Sequence, residues 1–413
     1  MREMKDSGIE WIGAIPQDWQ LSKIGSLYTQ RNEKVSDKDY QPLSVTMQGI
    51  LPQLATAAKT DDGDNRKLVR VGDFAINSRS DRRGSCGISP LDGSVSLINI
   101  ILTPRTAMHP GYYNWLFHTT LFADEFYKWG HGIVADLWTT RWQEMKSITV
   151  PVPEYAEQER IAAFLDAECA EIDTVLEKTR ASIEEYKKLK QAVITQAVTK
   201  GIRGDRPMKN SGIEWIGEIP AEWDVIRVKQ LLKERNERSK EGKEEPLSMS
   251  QKVGLVPTKF LESIPNMASS FVGAKLAYVD DLVFNKLKAH LGVFSVSRYY
   301  GLVSPDYAVY CSTGKSNLKY LEYIFKTPQC IGEFRKKSTG IAAGLMRLYT
   351  EGLFSIYLPY PALSEQEEIA EYLNEKCAGI DALIAKKQQY LTEIENYKKS
   401  LIYEYVTGKK EVV

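Results

Sequence analysis

The phrase MKDSGIEWIGAIPQDW at residues 4–19 returns as MKNSGIEWIGEIPAEW at 208–223, 204 positions later. A second passage, EQERIAAFLDAECAEID (157–173), returns as EQEEIAEYLNEKCAGID (365–381), offset by 208. No feature constrains the fold more, because a chain written twice at this spacing forms two like units. Fainter echoes join the passages. Arg31-Asn32-Glu33 answers Arg235-Asn236-Glu237, Pro42-Leu43-Ser44 answers Pro246-Leu247-Ser248, and VGDFAIN (71–77) answers VDDLVFN (279–285). Gly132-Ile133 matches Gly340-Ile341, and PVP (151–153) matches PYP (359–361). The drift in offset marks a few residues inserted in the second middle. The ends are kept and the middles diverge, which packing alone does not explain.

Each copy reads as two parts. The middles, roughly 20–153 and 224–361, hold short β-branched and aromatic runs such as SVSLINIILT (94–103) and LVSPDYAVY (302–310), broken by Gly, Pro, Asn and Asp. WLFHTTLFADEFYKW (115–129) and YLEYIFKTPQCIGEF (320–334) read as short helices within them. Each middle is therefore a small mixed α/β globule large enough for its own core. The PVP and PYP segments read as straps that end the globules. The remainder is helical. Ile161, Leu165, Ile172, Leu176, Ile183, Tyr186, Leu189 and Val193 recur every three to four positions. Ile369, Leu373, Ile380, Ile384, Leu391, Ile394, Tyr397 and Leu401 do the same in the second copy. An apolar stripe of that length, with a charged remainder and acidic residues in the first turn, predicts two long helices that pair as a coiled coil.

Composition narrows the class. The 413 residues carry 54 basic and 54 acidic side chains, with 43% hydrophobic residues, as in an ordinary globular chain of two or three domains. No run approaches the ~20 apolar residues of a membrane helix, and the start lacks a secretion signal. Five Cys (86, 169, 311, 330 and 377) without a CxxC pair argue for reduced thiols and a cytoplasmic location.

Motifs of catalysis are missing. GKS (314–316) lacks the earlier Gly of a phosphate loop, since position 309 is Val. No GxGxxG, HExxH, GxSxG or Asn-Pro-Pro-aromatic sequence occurs, and His109, His118, His131 and His290 have no ligand spacing. This reads as a binding protein. Basic charge gathers in the globules: 15 Lys and Arg against 13 acids in 20–150, and 20 against 13 in 224–358, while 157–200 holds 7 against 9. The loops NSRSDRRGSCG (77–87) and NKLKAHLG (285–292) stand at equivalent places. Arg can hold guanine bidentately, and Gly admits close backbone approach to phosphate. Candidate DNA contacts are therefore Arg79, Arg82, Arg83 and Arg141 in the first copy, with Lys286, Lys288, Arg335, Lys336 and Arg347 in the second.

The phrase GIEWIGxIPxxW, the PVP/PYP strap, the EQxxIAxxLxxxxxxID helix start and the closing AVTKG/YVTGK, each in order and twice, resemble the DNA-specificity subunits of type I restriction–modification enzymes over essentially the whole chain. The resemblance implies an α+β fold with a pseudo-two-fold internal repeat. It comprises a first target recognition domain (1–153), a first long spacer helix (154–203), a second recognition domain (204–361) and a second spacer helix (362–413), the two helices pairing as an antiparallel coiled coil. It also implies that each globule reads one half of a bipartite, asymmetric site in double-stranded DNA, while the helices set the gap and dock two methyltransferase subunits. No cofactor would be bound by this chain. S-adenosylmethionine, ATP and magnesium belong on the methyltransferase and restriction (motor) subunits, and no membrane is involved. A coiled-coil scaffold and a divergent DNA-modifying enzyme remain the rival readings. Trp11, Trp19, Trp215 and Trp223 are expected to cap the cores rather than touch partners.

Overall fold

A computed structural model describes residues 2–53, 63–132, 138–251, 253–261, 271–340 and 346–412. Ile133 and Ile341, two of the echoed positions, lie outside the described residues. Contacts divide the chain into two units, Met1–Arg180 with Gln388–Val413, and Ala181–Lys387. Each unit therefore holds one globule, the start of one long helix and the end of the other.

The first unit centres on an antiparallel four-stranded sheet, Cys86–Ile88, Phe74–Asn77, Asn99–Pro104 and Tyr28–Arg31 in spatial order. The second has the counterpart sheet, Phe294–Val296, Leu282–Asn285, Tyr307–Ser312 and Leu232–Arg235, in the same order. The runs read as single strands are each split by a turn: Gly93–Val95 precedes Asn99–Pro104, and Gly301–Val303 precedes Tyr307–Ser312. The two helical segments are split in the same way. Thr119 ends Pro110–Phe117 and its hydroxyl accepts from Phe122 N to cap Thr120–Lys128. Thr327 caps Pro328–Lys337 identically, after Leu318–Phe325. Periodicity did not show these breaks because the apolar pattern continues across them; the local signs are the capping hydroxyl and, in the second copy, Pro328 at the first helical position.

The straps are strands. Thr149–Val152 pairs with Gln20–Lys23, and Tyr357–Tyr360 with Asp224–Arg227. Pro151 and Pro359 are accommodated because each lies in a two-stranded ribbon, where one side of the strand needs no donor.

The opening phrase is a hairpin with a hydrogen-bonded loop. Met4–Asp6 pairs with Ala14–Pro16, and Met208–Asn210 with Glu218–Pro220. Asp6 and Asn210 accept from Gly8 N and Gly212 N, while the Ser7 and Ser211 hydroxyls accept from Ile9 N and Ile213 N. Trp19 and Trp223 are both 1% exposed, as capping residues should be. Trp11 is buried as well, and Trp215 packs half-buried on the second core.

The long helices, Tyr155–Lys200 and Leu363–Val406, begin by fastening these tryptophans. Glu157 accepts from the Trp19 indole N–H at 2.8 Å and is ion-paired to Arg2; Glu365 accepts from Trp223 at 2.9 Å and pairs with Arg206 at 2.7 Å. Gln158 bonds the carbonyl of Pro153 and the N–H of His109; Gln366 does so with Pro361 and Asn317. The repeated EQ is thus a clasp joining helix, strap and globule. Helix ends complete the cores. Leu401, Ile402 and Val406 join the first, and Ile194, Ala197 and Val198 the second.

Within each unit the two helices run antiparallel. In the first, Phe164 lies against Tyr405 with ring centroids 4.4 Å apart, Asp173 meets Lys398 at 2.6 Å and Arg180 meets Glu395 at 2.6 Å. In the second, Lys190 meets Asp381 at 2.6 Å and Arg203 meets Glu368 at 2.7 Å. Exposed pairs of this kind are worth only about 0–1 kcal/mol each, so they set register more than stability. Leu189 and Tyr397 depart from the expected seam. They are 50% and 55% exposed, because a strict three-to-four count drifts off the contact face in a helix of 3.6 residues per turn.

Candidate nucleic-acid interface

In each globule the strand carrying Asp73 or Asp281 leads into the basic loop, and the echoed residues fix that strand. Arg31 grips Asp73 through two hydrogen bonds, of 2.8 and 3.2 Å, and Arg235 grips Asp281 at 2.8 and 3.1 Å. Burial holds the Asp281 carboxyl above its usual value, although backbone donation from Tyr278 and the Arg235 pair oppose the shift. At the far end Asn77 and Asn285 close a turn. Their side-chain oxygens accept from Arg79 N at 3.0 Å and Leu287 N at 3.1 Å. Short 3-10 turns follow, Ser80–Arg82 and Ala289–Leu291.

A second segment is laced to this loop in both copies. Thr140 N donates to Ser78 O at 3.0 Å, and Leu348 N to Lys286 O at 3.0 Å. The segments before them fold back on themselves, His131 against Thr139 and Thr339 against Arg347. The structure therefore gathers Arg79, Arg82, Arg83 and Arg141 along one edge of the first globule. Lys286, Lys288 and Arg347 share the matching edge of the second. Arg335 and Lys336 stand in the last turn of Pro328–Lys337, four and three residues before Thr339.

The candidates differ in what holds them. Arg79, Arg82, Arg83, Arg141, Lys288, Arg335 and Lys336 are exposed; Lys286 and Arg347 are half-buried. Arg83 is ion-paired to Asp124 and stands over the Tyr127 ring, 5.7 Å from its centroid. Arg347 is paired to Asp306 at 3.2 Å, and Lys336 to Glu333 at 2.8 Å. Among the described residues Arg82 has only Asp81 as an ion-pair partner, at 3.8 Å. Lys286 turns its amine onto Pro305 O at 3.2 Å, and burial lowers its pKa. The Arg79, Arg141 and Arg335 guanidinium groups have no ion-pair partner among the described residues.

Sequence reasoning missed the carboxylates Asp124 and Asp306 and the clasp arginines Arg2 and Arg206. It had the Arg31 and Arg235 echoes and the aspartates of VGD and VDD, but nothing in one dimension pairs residues 42 or 46 positions apart. Among the described residues no cluster of metal-ligating side chains occurs, and no helix is long and apolar enough to cross a membrane.

No protein-family model matches the sequence. The chain is 23% identical over 428 aligned positions to the type I restriction enzyme MjaVIII specificity subunit of Methanocaldococcus jannaschii, covering 96% of this chain and 94% of that one. It is 27% identical over 278 positions to the putative type I restriction enzyme MjaX specificity subunit of the same organism, covering 65% of this chain and 61% of that one. In three dimensions it superposes with a TM-score of 0.73 and 12% identity on a chain from a structure concerned with complex assembly and conformational transition of the type I R-M system, covering 96% and 99% of the two. The HsdS subunit from Thermoanaerobacter tengcongensis gives a TM-score of 0.53 at 16% identity, covering 96% and 98%. The duplicated α/β fold, with each globule closed by the ends of two long helices, is the fold of these two solved chains. In sequence the chain is similar over nearly its whole length to a type I specificity subunit.

Proposed function

We propose that this chain is the non-catalytic, sequence-reading subunit of a type I restriction–modification complex, each globule reading one half of a bipartite DNA site through its laced basic edge. One observation carries the reading. The scaffold beneath the edge is the same in both copies, with Asn77 and Asn285 at the turn and Arg31–Asp73 and Arg235–Asp281 behind it. The side chains presented on it differ. A scaffold kept while its outward residues change is what two readers of different sequences require.

The kept surfaces, the hairpin of the opening phrase and the clasped helix starts, would meet partners that are alike. We assign them to two methyltransferase subunits, with restriction or motor subunits joining in the full complex. The long helices, both of which run from one unit into the other, would set the gap between half-sites. S-adenosylmethionine, ATP and magnesium would be held by those partners. Mapping methylated adenines in cells that express the chain with its modification subunit tests the reading. Replacing Arg79, Arg82 and Arg83 by Ala is expected to relax one half-site and leave the other intact. Equal loss at both half-sites would contradict it.

A further inference from the structure

Carboxylates are out of place on an edge that faces phosphates, yet each globule puts one there, bonded to an arginine. In the second, Asp306 opens strand Tyr307–Ser312 and its Oδ1 lies 3.2 Å from Arg347 Nη2. The Arg347 backbone is fixed by two hydrogen bonds with Thr339, of 2.9 and 3.0 Å, and Asp306 O accepts from Lys286 N at 3.1 Å. In the first, Asp124 on helix Thr120–Lys128 bonds Arg83, whose guanidinium also stands over Tyr127. The Tyr127 hydroxyl contacts Asn77 O at 2.9 Å and Arg82 O at 3.2 Å, so the support beneath Arg83 is itself anchored to the turn.

The two pairs do not occupy equivalent positions. In the register set by Asn77 and Asn285, the places of Asp306 and Arg347 are taken in the first copy by Ile98 and Thr139. Those of Arg83 and Asp124 are taken in the second by Leu291 and Gly332. Both members are present in one copy and both absent from the other. A pair serving the common fold would be kept in both, as Arg31–Asp73 and Arg235–Asp281 are. Stability does not explain them either, since these side chains are 40–54% exposed and such pairs contribute about 0–1 kcal/mol. What an acid does for an arginine here is hold its planar fork in one orientation, occupying part of a five-donor group. The remaining donors suit a planar pair of acceptors. Guanine O6 and N7 present one in the major groove, and a carboxylate can itself accept from cytosine N4.

We propose that Arg347 with Asp306, and Arg83 with Asp124, are specificity-determining pairs, each reading one G·C base pair in its own half-site. This rests on the DNA-reading function proposed above. Arg79 and Arg141, which lack a carboxylate partner among the described residues, take phosphates instead.

The test uses the full chain in complex with its modification subunit. Duplexes are selected from a randomised library, and affinity for random-sequence DNA is followed against salt. Arg347→Ala is expected to relax one G·C position in one half-site, with preference there falling roughly 10- to 100-fold. Asp306→Asn, which keeps the shape, relaxes the same position while raising affinity for random-sequence duplex, because a charge that repels phosphate is gone. Asp124→Asn does the same in the other half-site. Variants that keep the full motif overturn the proposal. So does uniform weakening at every position with the salt slope reduced by about one, the mark of a phosphate contact. A parent motif without G·C in the half-sites overturns it as well. If the parent complex selects no bipartite motif at all, the functional reading itself has failed; a parent motif that the variants leave intact sinks only the pairs.

Discussion

Gly408→Ala tests how the end of the second long helix is seated on the first core. Gly408 has φ +71°, a left-handed conformation that costs an alanine about 1 kcal/mol. Its added Cβ would lie 2.4 Å from Pro16 Cδ and 3.0 Å from Trp19 Cη2. Neither a proline ring nor a tryptophan that is 1% exposed can swing aside. Relieving such an overlap in a packed core costs about 1–3 kcal/mol, giving a total near 2–4 kcal/mol. Gly8→Ala is the control, because Gly8 lies in the same unit and has a similar φ of +68° with nothing within 4 Å of the added Cβ. It should cost only the conformational ~1 kcal/mol. Six of the eight tryptophans belong to the first unit, so tryptophan emission during urea unfolding reports mainly on that unit. With a slope near 3 kcal/mol per molar, Gly408→Ala should lower the midpoint of that transition by about 1 M. If it proves as mild as Gly8→Ala, the helix end is not held between Pro16 and Trp19 and the reasoning fails.

Other perturbations probe separate links. Glu365→Gln removes the buried charge facing Arg206, whose side chain is 11% exposed; the second unit should lose about 2–3 kcal/mol in denaturant unfolding, and a loss below about 0.5 kcal/mol would mean that Glu222 suffices as partner. Burial lowers the His118 pKa, so below about pH 6.5 the unfolded chain takes up a proton that the folded one resists. Stability of the first unit should be full above that pH and decline as pH falls below it, and His118→Gln should flatten the profile. Four residues inserted after Glu177 lengthen a continuous helix by ~6 Å, or one to two base pairs. Methylation mapping should then show unchanged half-sites with a longer gap, and an unchanged gap would end the idea of the helices as a ruler. The isolated chain should bind DNA weakly and lose affinity steeply with salt, whereas tight, sequence-specific binding by the chain alone would contradict the need for methyltransferase partners.

The sequence by itself determined the duplication, the mixed α/β middles and the two long helices, because these follow from repetition and from apolar spacing along the chain. It also determined the loops where basic side chains gather, since Asn77 and Asn285 open both copies of that loop and local turn chemistry is short-range. Apolar spacing did not show the break at Thr119 and Thr327, where one hydroxyl ends one helix and starts the next, although Pro328 marks the second of them. Only the tertiary structure decided what the repeated words are for. Trp19 meets Glu157 across 138 positions, and Trp223 meets Glu365 across 142. Tyr112 donates to Val406 O across 294, closing the first core with the last turn of the chain's final helix. Such partners are selected by the geometry of a packed core, which brings together residues that no local pattern relates. The same holds for Asp124 and Asp306. As letters they are two acids among 54, and only the fold sets them beside Arg83 and Arg347.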